Sequence, residues 1–388
     1  MHRHHSCRRA ELAHGFSAAS DALPFVLPGA SATFTPPRDV NVRHLRIEVA
    51  LDFAAAAVDG VCTLTLVPLA DGLAHVALDA VEMHIHAVTR ADGEALDFTY
   101  DGQKVSFELE RAKEGEAVDV VVRYRCTPRR GLYFIRPDEA HPNRPLQAWS
   151  QGQDEDNRAW FPCFDHPTVK STSEVIATVP AKMTVLSNGR PVDDKVAGER
   201  RTVHFRQDVP HSSYLVTLVA GEYTHLKDRA GDIELHYFVN PGREEDAPRT
   251  FGNTAKMIEL FAEKTGRAYP WPRYSQITVA EFIFGGMENT SATTLTDQTL
   301  HDARAHLDFS SEPLISHELA HQWFGDLLTC RDWSQGWLNE GFATYMELIW
   351  KEHIAGRDEA DYDRLADQEA YLDEDAHRYR RPIVTNVF

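Results

Sequence analysis

His317-Glu318-Leu319-Ala320-His321 is the segment of this 388-residue sequence best equipped for chemistry. On a helix, residues i and i+4 share one face, so both imidazoles can reach a single ion. Glu318 lies about 100° round the helix from His317, placed to address a water on that ion without binding it. A catalytic zinc site takes three protein ligands and keeps one position open. Glu340 is the candidate third ligand. Eighteen residues separate it from His321, enough to end one helix, turn near 332–336 and begin an antiparallel partner. Spacing alone also fits a surface helix with solvated His and Glu, and Glu340 as an ordinary helical glutamate. His84 and His86, on one face of a strand, read as a metal pair or as exposed histidines on a β-domain. There is no GxGxxG, Walker loop or GxSxG, so nucleotide binding and serine hydrolysis have no sequence basis.

The HELAH segment, followed after eighteen residues by Trp337-Leu338-Asn339-Glu340-Gly341-Phe342-Ala343, resembles the aminopeptidase N family of zinc metallopeptidases, which includes leukotriene hydrolase-type members. Gly285-Gly286-Met287-Glu288-Asn289 is similar to that family's exopeptidase loop. Ser150-Gln151-Gly152-Gln153, leading into Arg158 to Asp165, is a third match, and the three stand in the family's order. The similarity covers roughly residues 40–388.

The resemblance implies one Zn²⁺ per chain held by His317, His321 and Glu340, with a water at the fourth position deprotonated by Glu318 as general base. It implies that Glu288, helped by Gln153, recognises the free α-ammonium of a peptide. The backbone at Gly285 and Gly286 would approach the substrate closely, and Met287 and Asn289 complete the loop. The implied reaction is hydrolysis of the N-terminal peptide bond. Departures matter too. Gln153 stands where some members have Glu, and Phe164-Asp165-His166-Pro167 replaces the family's Phe-Asp-Glu-Pro in a stretch read as structural. The family's oxyanion-stabilising tyrosine, about sixty residues beyond the third ligand, would fall past Phe388, as would its C-terminal helical domain. The chain is therefore read as a C-terminally truncated piece whose own turnover is open. A thermolysin-type endopeptidase and a non-catalytic, zinc-stabilised peptide-binding fragment are the alternatives; epoxide hydrolysis has only family analogy behind it.

The elements that must position these residues change character along the chain. Residues 1–35 open with a His- and Arg-rich start and continue rich in Ala, Ser and Gly, a flexible tail without the apolar core of a secretion signal. From about residue 40 apolar residues alternate with polar ones, as in Leu45, Ile47, Val49, Leu51 and Phe53, and turn pairs such as Asp92-Gly93 and Asn188-Gly189 separate the runs. This predicts a β-sandwich or saddle over 36–225. After 245 the period becomes helical: Phe251, Ala255, Ile258, Phe261 and Ala262 share a stripe, and further helices are expected from about Ser311 and over 338–354. The fold class is α+β, with a thermolysin-like mixed α/β catalytic domain, incomplete at its C-terminus, over 226–388.

Composition sets the outer limits. Lys and Arg number 40 against 59 Asp and Glu, a net charge of −19, which argues against nucleic-acid phosphates as partners. No apolar run approaches the length that spans a bilayer. The five cysteines are scattered and never form CxxC, which suits a reducing, cytoplasmic setting and argues against a cysteine-based zinc site.

Overall fold

The computed structural model describes residue 26, residues 29–378 and residues 380–387. The tail expected over 1–35 lies mainly outside the described residues, and so does Cys7. From Val40 the alternating pattern builds a seven-stranded sheet. Its order is Arg190–Ala197, Arg200–Ser212, Lys170–Pro180, Val40–Asp52, Ala57–Pro68, Val118–Cys126 and Met83–Arg90. All neighbours are antiparallel except Val40–Asp52 beside Lys170–Pro180. The inward set, including Ile47, Leu64, Val122 and Val175, is buried. That is the one-sided burial a period of two demands. Gly60 makes room for Tyr124, since a Cβ there would fall 2.2 Å from the ring. The Tyr124 hydroxyl thereby reaches the Trp160 carbonyl at 2.8 Å. A three-stranded and a four-stranded sheet complete this β-rich part.

A further, mixed sheet of five strands carries the Gly286–Met287 segment. It runs Thr224–Ala230, Ile233–Val239, Tyr274–Val279, Ala292–Thr296 and Gly286–Met287, with the last at an edge. The core of the β-rich part continues into it through Phe238, Ile277, Val279 and Met287. Polar contacts fasten the same seam: Trp149 Nε1 donates to the Ala280 carbonyl at 3.1 Å, and Asn188 Nδ2 donates to that of Thr290 at 2.8 Å.

Helices pack on the mixed sheet. The stripe expected around Phe251 to Ala262 forms two helices, α1 (Ala247–Phe251) and α2 (Thr254–Thr265), because the chain breaks at Gly252-Asn253. α2 ends on Gly266 in the left-handed region (φ 67°). α3 (Glu312–Ala320) has Pro313 in its first turn, and Ser310 Oγ accepts from the Glu312 N–H at 3.2 Å. α4 (Trp337–Ala355) matches the helix expected over 338–354. α5 (Arg357–His377) was not foreseen. Ala360 is its one buried residue, so it lacks the apolar stripe that reveals a helix in sequence. Among the described residues no helix is long and apolar enough to cross a membrane.

Candidate metal centre and active site

α3 and α4 converge where the sequence predicted. Trp350, on α4, is fully buried and donates through Nε1 to Glu312 Oε2 at 3.1 Å, at the start of α3. Ile315, Leu319, Ala343 and Met346 fill the space between. With the helices fixed, His317, His321 and Glu340 bring one ligand atom each within 4.8 Å of one another. The two Nε2 atoms are 3.0 Å apart, and Glu340 Oε2 lies 3.4 Å from one and 3.6 Å from the other.

The donor set fits a divalent metal ion. Each imidazole is oriented through its remote nitrogen: His317 Nδ1 meets Glu347 Oε1 at 2.5 Å, and His321 Nδ1 meets the Phe324 carbonyl at 2.9 Å. Those contacts fix the tautomers so that both Nε2 lone pairs face one point, as in metal-ligating histidines generally. Gly325, at φ +130°, shapes the turn behind His321; a Cβ there would sit 3.1 Å from His321 Nδ1. Two nitrogens and one carboxylate oxygen form a three-ligand set with a position to spare. Charges are arranged for a cation. Burial opposes charge on His317, yet hydrogen bonds with Glu340 and Glu347 push it up to about 9. Burial likewise opposes ionisation of Glu340, but His321 and His317 hold its carboxyl far below the ordinary range.

Glu318 is buried beside this point, and among the described residues its Oε2 has no hydrogen-bond partner. Burial raises its carboxyl to about 7, against the lowering pull of His317 and His321. Gly286 is what allows Glu318 to sit there. A Cβ on Gly286 would lie 2.4 Å from the Glu318 carboxyl carbon and Oε1.

The Gly285–Asn289 loop delivers a second buried carboxylate. Glu288, Glu318 and His321 place ligand atoms within 4.8 Å of one another. Burial raises the Glu288 carboxyl, and His321 offsets part of that rise. Tyr214 spans the site: its hydroxyl donates to Glu288 Oε1 at 3.5 Å and accepts from Asn339 Nδ2 at 3.1 Å. Gln322 Nε2 donates to the Glu288 carbonyl at 3.1 Å. Gly286 and Met287 pair with Leu295 and Thr294 and leave the outer edge of their sheet unpaired within it. The Met287 and Asn289 side chains point inward. Met287 Sδ accepts from Gln151 Nε2 at 3.1 Å, and Asn289 Nδ2 donates to Thr294 Oγ1 at 3.2 Å. Gln153 reaches Glu340 Oε1 at 3.5 Å.

Outside this centre, His84 and His86 stack edge to face with ring centroids 4.6 Å apart, but among the described residues no third ligand joins them. Asp165, in the stretch read as structural, is buried. It accepts from the Arg158 N–H at 3.0 Å and from Ser213 Oγ at 3.2 Å.

Two family models match the chain in succession. The Peptidase M1 N-terminal domain covers residues 41–215, and the Peptidase family M1 domain covers 249–388. The chain belongs to peptidase family M1. Aminopeptidase M1 of Arabidopsis thaliana is 33% identical over 54% of this chain and 25% of its own length. Aminopeptidase N of Bos taurus is 30% identical over 64% of this chain and 26% of its own. The chain thus aligns with about a quarter of the length of each. An M1 zinc metallopeptidase mutant from Deinococcus radiodurans, crystallised with a Tyr-Ser-Ala substrate, superposes with a TM-score of 0.71 at 25% identity, over 86% of this chain and 76% of that one. Native yeast LTA4 hydrolase shares the fold, with a TM-score of 0.73 at 24% identity over 86% of this chain and 52% of the other.

Within this M1 chain, several supporting residues escaped sequence reasoning. Glu347 follows Glu340 by seven residues, two helical turns along one face, so its proximity to His317 was available from spacing. Asn339 and Gln322 adjoin the ligands Glu340 and His321 in the chain, but residue type did not announce their contacts to Tyr214 and the Glu288 carbonyl. Tyr214 had no signal, because it meets the site only through long-range packing. The Phe324 carbonyl is backbone, which residue type does not announce.

Proposed function

We propose that this chain carries the centre of a zinc-dependent aminopeptidase that removes N-terminal residues from peptides, with one Zn²⁺ on His317, His321 and Glu340. The observation that carries the reading is Glu288, a buried carboxylate that shares a 4.8 Å cluster with Glu318 and His321. A buried carboxylate beside the ligands suits an α-ammonium, which only the first residue of a peptide carries. That distinguishes an aminopeptidase from an endopeptidase built on the same three ligands.

The ion, when bound, supplies Lewis-acid chemistry: it polarises the scissile carbonyl and acidifies water. The chain's own residues do the rest. Glu288, held by Tyr214 and by the Gln322 contact to its backbone, binds the substrate ammonium and sets which peptide bond is addressed. The outer edge of Gly286-Met287 offers backbone groups for an extended substrate. Glu318, with Oε2 free of hydrogen bonds, takes the proton of the attacking water and returns it to the leaving amine.

The test compares a short peptide bearing a free N-terminus with its N-acetylated form, by hydrolysis and by calorimetric binding. The free peptide is the preferred ligand and substrate on this reading. Equal handling of the two peptides would overturn it in favour of an endopeptidase or a plain peptide binder.

A further inference from the structure

A second cleft, of about 470 Å³, opens where the Arg190–Ala197 and Arg200–Ser212 hairpin faces the outer strands Thr224–Ala230 and Ile233–Val239. Four cations line it, Arg190, Arg201, Lys227 and Arg273, against two carboxylates, Asp194 and Glu234. Asp208, 3.8 Å from Arg190, adds a third carboxylate at the rim, so one positive charge is left over, in a chain whose net charge is −19. Not all four cations are available. Arg201 already holds Asp194 through two bonds, Nε to Oδ1 at 2.8 Å and Nη2 to Oδ2 at 2.5 Å. Arg190 stands 3.8 Å from Asp208.

Arg273 is the exception. It is only 7% exposed, and its Nε and Nη2 both donate to Ser275 Oγ, at 3.2 and 2.9 Å. Among the described residues it has no carboxylate within ion-pair distance. A buried guanidinium paired with one neutral hydroxyl carries a desolvation cost that an anion would offset. It lines an open cleft, so an anion can reach it.

The strand register adds to the same wall. Lys227 pairs with His236 and His225 with Phe238, so these side chains share a face. His225 Nε2 and His236 Nδ1 lie 2.8 Å apart. With His225 as donor, His236 carries its proton on Nε2. That atom is buried without a hydrogen-bond partner among the described residues, with Glu234 Oε2 at 3.5 Å.

We propose that this cleft binds a phosphate group, with Arg273 as the buried anchor, Lys227 as the rim cation and His236 Nε2–H as a further donor. Three donors along one wall suit the several oxygens of a phosphate better than the two of a carboxylate. The site is separate in residues from the metal centre and does not depend on the aminopeptidase reading.

Calorimetric titration of the zinc-loaded chain with inorganic phosphate, and in parallel with acetate, tests this. The expected result is one phosphate site that acetate does not fill comparably. Lys227→Gln weakens it by about tenfold, Arg273→Gln abolishes it, and His321→Ala leaves it intact. Four results would overturn the proposal: no phosphate binding, acetate binding as tight as phosphate, loss of binding in His321→Ala, or undiminished binding in both cleft variants. Should circular dichroism show Arg273→Gln unfolded, Lys227→Gln decides, and undiminished affinity there overturns it.

Discussion

On the proposed mechanism Glu318 and Gly286 form one functional pair, because the Glu318 carboxylate occupies space that only a glycine leaves free. Glu318→Gln keeps the ligands and removes the proton acceptor. We expect zinc content to be unchanged and turnover to fall at least about a hundredfold, measured on the same preparation. A variant with the parent's rate would remove Glu318 from the mechanism. Gly286→Ala tests the same arrangement from the other side. Its Cβ would stand 2.4 Å from the Glu318 carboxyl, so the carboxylate must move. Displacement of that kind is expected to cost about a hundredfold in kcat with zinc still bound. Unchanged kcat would mean that Glu318 tolerates another position. The pair was only half legible in the sequence. The HELAH spacing exposed Glu318, whereas Gly286 read simply as a loop glycine granting backbone access. Its contact with Glu318 joins residues 32 positions apart and appears only once the loop and α3 are packed.

At the scale of elements, the metal centre depends on α3 and α4 being held as an antiparallel pair. Trp350 is the clamp, with a fully buried ring and an indole N–H on Glu312. Trp350→Ala is expected to destabilise the chain by about 3–5 kcal/mol and to weaken zinc binding, since Glu340 rides on the same helix. Denaturant midpoints and zinc content on one preparation would check both. A variant with normal stability would show that the helices are held elsewhere. α3 could be placed from sequence by Ser310-Ser311, Pro313 and the HELAH spacing, and α4 by its run up to Gly356, with Asn339, Ala343, Met346 and Trp350 buried on one face. α5 could not, being acidic and almost wholly exposed, so neither periodicity nor burial marked it. The division into α1 and α2 was hidden for the opposite reason: one apolar stripe runs through both, and the backbone break at Gly252-Asn253 leaves it intact.

Across the whole molecule, the β-rich part and the catalytic sheet share a core, so stability in one supports the site in the other. The β-rich part holds a pH-sensitive group in His211, which is buried and bonded through Nε2 to Ser173 Oγ at 2.8 Å. Burial, with Lys170 adding to it, pushes His211 down to about 3. The unfolded chain would protonate it near 6.5, so below that pH the unfolded state takes up a proton that the fold refuses. Its contribution is therefore fully present above about pH 6.5 and is lost as pH falls, by at most about 1.4 kcal/mol per pH unit. Asp165 works in the reverse sense. Burial raises its carboxyl to about 7 despite Arg158, so its contribution fades as pH rises from the ordinary carboxylate range through 7. His211→Asn should lose less stability than the parent between pH 7 and pH 5, read as denaturant midpoints. Equal losses would show that His211 does not titrate on unfolding. The alternating strands announced this β-rich part well, yet its seam with the catalytic sheet was invisible. Gln147, Trp149 and Asn188 make that seam through contacts more than 90 residues away in sequence.

The central claim is that His317, His321 and Glu340 hold one zinc ion. It is tested most directly by metal analysis of the purified chain and of His321→Ala, with residues 1–20 removed from both so that His2, His4 and His5 cannot hold metal. The account predicts one zinc per chain in the parent and loss of that zinc in the variant. No zinc in the parent, or equal zinc in both, would contradict it.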